Sequence, residues 1–184
     1  VDQLPVIMQG TMIILTPSTR DEVPTYWRWI CDPDVNMTLA DTGACVTIEN
    51  EYAWYDENVA HPREDLVHLD VRERATMRLI GNGDLFDIDH ANGTAELGIL
   101  IGAKDCWGRG YGTQAVALLA AYGFQTLGLS NILLRCDASN ARALAAYRTV
   151  GFHEIGRRRR SVLKSGQRTD EILMDLLPDE LKSV

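Results

Sequence analysis

A chain of 184 residues is long enough to bury one core without disulfides or a structural metal, so one domain is expected. Hydrophobic residues make up 46% and charged residues 24%, and no apolar run approaches the ~18 residues of a membrane-spanning helix, which excludes such a span. The formal net charge of -8 argues against general nucleic-acid binding, which rewards clustered Lys and Arg, and favours a cationic substrate.

The first ten residues lack the basic start, long apolar stretch and small-residue cleavage site of a secretion signal, so a cytoplasmic location is the expectation. A first strand is predicted over 11–15 and a helix over 20–30, with Trp27 and Ile30 on one buried face and Pro33 at its end. A second helix is predicted over 48–59, with Thr47 as N-cap, Glu49 and Glu51 near the positive end of its dipole, and His61 and Pro62 as its stop. Strands over 66–71, 77–88 and 94–101 follow, the last two joined by a turn at 89–93, and read as an antiparallel meander.

Ala115, Leu118, Leu119, Tyr122 and Leu127 recur at helical spacing, which predicts a helix over 112–127 stopped by Gly128. A short strand over 131–136, a helix over 140–150 closed by Gly151, and two strands around Ser165 and Gly166 complete an α+β chain on a mixed sheet. Cys31, Cys45, Cys106 and Cys136 form no CxxC pair and have no His at zinc-ligand spacing, so they are expected to be reduced packing residues, with no metal.

Most information lies in TAELGILIG over 94–102, followed by GRGYGT over 108–113 at the start of the long helix. A strand thus delivers a glycine-rich turn to a helix N-terminus, where backbone amides and the helix dipole suit a pyrophosphate. It is not a Walker loop, since no GK[ST] follows, nor a dinucleotide fingerprint, since Thr113 stands at the last glycine's place. A tight turn with incidental glycines is the alternative. One short strand later comes NARALAAYRTVGF over 140–152.

Together the two segments resemble the coenzyme A signature of the GNAT superfamily of N-acetyltransferases: a Q/R-x-x-G-x-G/A loop followed by N-x-x-A-x-x-x-Y-x-x-x-G-F. WRWICDPDV over 27–35, LIG over 79–81, AELG over 95–98 and DEILM over 170–174 resemble the branch holding ribosomal-protein N-terminal and spermidine acetyltransferases. The resemblance covers nearly the whole chain, with 37–45 the least determined stretch. It implies a GNAT fold in a single domain over 1–184: a mixed, mostly antiparallel central sheet flanked by helices and splayed at the acetyl-CoA strand. One departure is Trp107, where the family commonly has Gln or Arg.

The resemblance further implies transfer of an acetyl group from acetyl-CoA to a primary amine: a protein N-terminus, a polyamine or another small amine. The pyrophosphate would lie over Trp107, Gly108, Arg109, Gly110, Tyr111, Gly112 and Thr113, and the pantetheine arm beside Ile99, Leu100 and Ile101, with Asn140 hydrogen-bonding it. Tyr147 would protonate the departing thiolate. A catalytically inactive coenzyme A binding sensor or scaffold is the alternative, and a homodimer is a family-level expectation.

Acetyl transfer needs an unprotonated amine, donors for the oxyanion and an acid for the leaving group. Along 94–102, Glu96, Gly98, Leu100 and Gly102 share one face; the resemblance, in which this strand splays and pairs with the pantetheine arm, implies that the Glu96 carboxylate stands near the acetyl group as acceptor of the amine proton. Its alternative role is a salt bridge. The alternative role of Tyr147 is packing. Asp84, Asp87, Asp89 and His90 read as a solvated edge rather than a metal site, and 157–160, four arginines, as a charged surface or dimer contact. Trp27, Trp29 and Trp54 read as core and substrate-pocket walls.

Overall fold

In the computed structural model, which describes residues 4–39, 46–61, 63–164 and 166–183, eight strands form one sheet in the order β1-β2-β3-β4-β5-β6-β8-β7. They are β1 (Met8–Gln9), β2 (Ile13–Pro17), β3 (Leu66–Glu73), β4 (Leu79–Asp89), β5 (Thr94–Ile101), β6 (Asn131–Asp137), β7 (His153–Lys164) and β8 (Gln167–Leu176). The helices are α1 (Val23–Cys31), α2 (Pro33–Asn36), α3 (Ile48–Asn58), α4 (Tyr111–Gln125) and α5 (Ala141–Val150). Every neighbouring pair is antiparallel except β5 and β6. This is the expected α+β architecture, with the expected meander over β3, β4 and β5. Cys45, Pro62 and Ser165 lie outside the described residues.

Strand alternation divides the interior into two layers. Leu69 and Val71 of β3 join the main core with Leu15, Ile80, Leu85 and Leu97, under Ala115, Val116 and Leu119 of α4. The intervening His68, Asp70 and Arg72 meet the other layer. Tyr26 of α1 donates its hydroxyl hydrogen bond to Asp70, Arg72 pairs with Glu22 at 2.9 Å, and Trp54 of α3 packs edge-on against His68. Val23, Tyr26, Tyr55 and Leu79 form the apolar centre of this second layer.

Several boundaries differ from expectation for local reasons. Pro33 marks the end of the first helix as expected, with Asp32 extended at its C-cap, and it also opens α2, for which Asp32 is the cap, accepting from the amides of Asp34 and Val35. Proline suits the first helical position because its missing N–H would be unsatisfied there anyway. The first helix begins with a 3-10 turn at Arg20–Glu22, and Met8–Gln9 adds an edge strand too short to show a pattern. Thr47 caps α3 as expected, its Oγ1 accepting from the Asn50 amide at 3.2 Å. Asn140 is the cap of α5 rather than its first helical residue, and Oδ1 accepts from the Ala143 amide at 3.1 Å.

The feature that positions the site is the limited contact between β5 and β6. Only Thr94, Ala95 and Glu96 pair with β6, against Asn131, Ile132 and Leu133. Both strands run on, β5 to Ile101 and β6 to Asp137, without further pairing to each other. That is the expected splay, and it leaves the backbone of 97–101 unpaired on one edge. The irregularity in β4 falls between Phe86 and Asp89, beyond the Phe86–Glu96 pair, so the expected faces of β5 are kept.

Candidate active site

The glycine turn is built by two left-handed residues, Gly108 (φ 72°) and Gly110 (φ 87°). Such angles cost side-chain-bearing residues energy, which accounts for glycine at both places. Gly110 is the N-cap of α4, and the first intrahelical bond runs from the Gln114 amide to the Gly110 carbonyl at 3.0 Å. The amides of Tyr111, Gly112 and Thr113 therefore have no helical acceptor and stand at the positive end of the dipole, as an anion requires. A Cβ at Gly112 would lie 3.4 Å from Ile101 Cγ1, in ordinary contact, so the empty fold has no need of glycine there. The open groove does.

That groove, of about 320 Å³, is lined by Ile99, Ile101, Trp107, Gly108, Gly110, Gly112, Thr113, Asn140 and Tyr147 among others. Three residues of the expected cofactor set direct their side chains elsewhere. Leu100 points to the opposite face of β5, because neighbours on a strand alternate. Tyr111 turns into the core, where its hydroxyl donates to Glu73 Oε1 at 2.7 Å, so only its backbone faces the turn. Arg109 sits over the Tyr111 ring, 5.5 Å from its centroid, and does not line the groove.

The charge at the groove comes instead from Arg142, which sequence reading passed over although it lies inside the segment starting at Asn140. Its guanidinium rests 4.1 Å from the centroid of the Trp107 ring, while Trp107 Nε1 donates to the Ile101 carbonyl at 2.6 Å. A face-on cation and a fixed indole hold each other. Trp107 thus supports a cation where its own side chain supplies none.

A second cavity, of about 510 Å³, opens on the other side of β5. It meets the groove at Thr38, Ile99, Asn140 and Tyr147, which line both. Tyr147 is 9% exposed and packs against Phe152, with centroids 6.1 Å apart. Its hydroxyl makes no hydrogen bond among the described residues, and burial pushes the phenol well above the usual tyrosine range. Tyr147 therefore holds its proton throughout the neutral range and has it free to give.

The second cavity is walled by Glu51, His68, Asp84, Glu96 and Arg135, with Tyr26, Trp54 and Phe86 as apolar surface. Glu96 stands on this wall as expected, but its Oε1 takes a 2.6 Å hydrogen bond from Arg135 Nε. Deeper in, Lys164 is 3.2 Å from Asp137, both side chains almost fully buried. Asp84 is not on a solvated edge: it accepts from His68 Nδ1 at 2.5 Å. Asp89 instead fastens its own turn, accepting from the amides of Ala91 and Asn92 at 2.9 Å. His68, Asp84 and Glu51 went unnoticed as a group because they come from β3, β4 and α3 and form no motif. Among the described residues, no three His, Cys, Asp or Glu side chains are arranged to hold a metal ion, and no helix is long and apolar enough to cross a membrane.

The sequence profile of the Acetyltransferase (GNAT) domain matches residues 12–153. The chain belongs to the GNAT acetyltransferase family. As such it is an acyl-CoA-dependent N-acetyltransferase, which transfers an acetyl group from acetyl-CoA to an amine acceptor. It is 25% identical over 159 residues to a human alpha/beta-tubulin-N-acetyltransferase 9, a match covering 81% of this chain and 76% of that protein. It is 30% identical over 107 residues to an uncharacterized N-acetyltransferase p20 of Bacillus licheniformis, covering 58% of this chain and 60% of that one. Among solved structures, a spermidine N-acetyltransferase from Vibrio cholerae in complex with CoA and spermine superposes with a TM-score of 0.85 at 19% identity, covering 93% of this chain and 98% of the other. The GNAT fold is thus shared at the level of the whole chain. The family match over residues 12–153 supports the acetyltransferase over the inactive sensor or scaffold.

Proposed function

We propose that this N-acetyltransferase binds acetyl-CoA in the groove over 108–113 and acetylates a cationic primary amine, such as a polyamine, a protein N-terminus or another small amine, held in the second cavity. The observation that carries this reading is that the two cavities meet at Ile99, Asn140 and Tyr147. The unpaired edge of β5, the free amides at the start of α4 and the Arg142 guanidinium fit an extended thiol ester carrying a pyrophosphate. Bound there, acetyl-CoA supplies the activated acyl group. Tyr147 donates its proton to the sulfur as it leaves.

The acidity of the second cavity supports a cationic acceptor. Arg135 and Lys164 are answered by Glu96 and Asp137, and Glu171 by Arg158 at 2.7 Å. Glu51 remains 8% exposed, with no hydrogen bond to its carboxylate among the described residues. Burial pushes its pKa up, which is the cost of an unpaired carboxylate that an incoming ammonium relieves. On this reading Glu96 neutralises Arg135, which otherwise repels the substrate. The expected homodimer remains part of the proposal, with β7 as an edge strand leaving Ile155 56% exposed. The test is thiol release from acetyl-CoA against a panel of primary amines and carboxylate-bearing or neutral analogues. Preference for the neutral or anionic analogues would refute a cationic acceptor.

A further inference from the structure

We propose that His68, oriented by Asp84, is the base that removes the proton from the acceptor's ammonium. The inference rests on the reading above, in which the second cavity receives the amine. His68, Asp84 and Gly98 are cross-strand partners on β3, β4 and β5, so their positions form one rung across the sheet. That rung ends one residue from Ile99, which lines both cavities. The His68 side chain is 4% exposed, and its ring lines the acceptor cavity. Nδ1 donates to Asp84, which assigns the lone pair of the neutral ring to Nε2. Nε2 is buried and has no hydrogen-bond partner among the described residues. A buried polar atom without a partner is costly, and His68 is one of the residues that wall the cavity proposed to receive the amine.

The surroundings tune the ring for this role. Tyr26 of α1 and Trp54 of α3 pack edge-on against it, with centroids 6.0 and 5.3 Å away. Their enclosure favours the neutral ring, yet the charge and hydrogen bond of Asp84, then Asp70 on its own strand and Glu51 on α3, outweigh it and raise the His68 pKa. Glu96, the expected base, has Oε1 committed to Arg135. The proton balance is simple. The ammonium N–H bond breaks and its proton joins His68 Nε2, leaving a neutral amine; the C–N bond then forms as the C–S bond breaks. Nitrogen loses a second proton, which replaces the one Tyr147 gives to sulfur. The proton on His68 passes to water when the cavity opens to solvent, so one proton is released per turnover.

The experiment compares wild type with His68→Gln and Asp84→Asn, each checked by thermal melt. Rates are measured with ethylamine and with the weakly basic 2,2,2-trifluoroethylamine, across pH. His68→Gln should lower kcat/KM for ethylamine about 100-fold at pH 7 and much less for the weakly basic amine, which arrives neutral. An equal loss for both amines at every pH overturns the proposal, since that is the mark of a merely structural residue. Asp84→Asn, which keeps the cavity's shape, should shift the acid limb of the ethylamine profile to lower pH; an unmoved limb counts against the dyad. NMR titration of the His68 ring in the protein without acetyl-CoA gives an independent answer. A ring titrating above ordinary histidine, and falling in Asp84→Asn, supports the dyad, whereas one neutral down to pH 5 overturns it. Absence of wild-type thiol release with any amine would fail the acceptor reading instead, and the ring titration would still decide the dyad.

Discussion

Replacing Tyr147 with Phe isolates one proton. The ring packs against Phe152 inside α5 and the main core, and the substitution keeps all of that contact. The hydroxyl it deletes makes no hydrogen bond among the described residues, so no partner is orphaned. Stability should therefore change by no more than about 0.5 kcal/mol, the range of substitutions that break no network. Acetyl-CoA affinity should also hold, because the groove keeps its amides and its apolar wall. Turnover should fall about 100-fold, as for a lost general acid, equivalent to about 2.7 kcal/mol of transition-state stabilisation. The raised pKa of the phenol adds a second expectation: the wild-type rate should show no alkaline decline from Tyr147 in the ordinary tyrosine range. Steady-state thiol release, calorimetric titration with coenzyme A and thermal melts on both proteins decide the matter. Wild-type turnover in a folded, coenzyme-binding Tyr147→Phe would reduce the residue to packing and refute the reasoning.

Gly112→Val should fold normally, since a Cβ there meets Ile101 at only 3.4 Å and φ is not left-handed, yet weaken acetyl-CoA binding by about tenfold or more by filling the approach to the free amides. Calorimetry checks it; the same substitution at Gly110 is less informative because it adds backbone strain at φ 87°. Glu96→Gln should raise KM for a cationic amine while leaving kcat and the pH profile largely intact, because it exposes the Arg135 charge. A profile shifted chiefly at low pH would return Glu96 to the role of base. Asp137→Asn should cost about 3 kcal/mol at pH 7 by leaving Lys164 buried without its counter-charge. In the fold, desolvation of the Asp137 carboxyl is outweighed by the hydrogen bonds of Ser139 and by Lys164, so its pKa is depressed. The stability it lends is thus present above the unfolded value of about 4 and lost as pH falls through the folded one. Urea unfolding at pH 7 and pH 3 should show the gap between the two proteins closing.

The periodicity of 112–127, the alternation of 94–101, the Thr47 cap and the stops at Gly128 and Gly151 were all legible in the sequence, because each is a property of neighbouring residues. So was the coenzyme A motif, whose glycine turn and Asn140-to-Phe152 spacing are local to two segments. Chain order could not reveal which side chains meet across the sheet. Glu96 is joined to Arg135 because β5 and β6 are parallel and lie side by side there, 39 residues apart in the chain. His68 faces Asp84 because the β3–β4 register pairs them, and a slip of one residue would put the two side chains on opposite faces. Tyr111 left the groove for the same kind of reason, its hydroxyl meeting Glu73 of β3, whereas the direction of Leu100 was already given by the alternation along β5. Local pattern follows from bonded geometry, whereas the pairing of charges in the acceptor cavity follows from strand register and from the point where β5 parts from β6, and only the folded sheet specifies those.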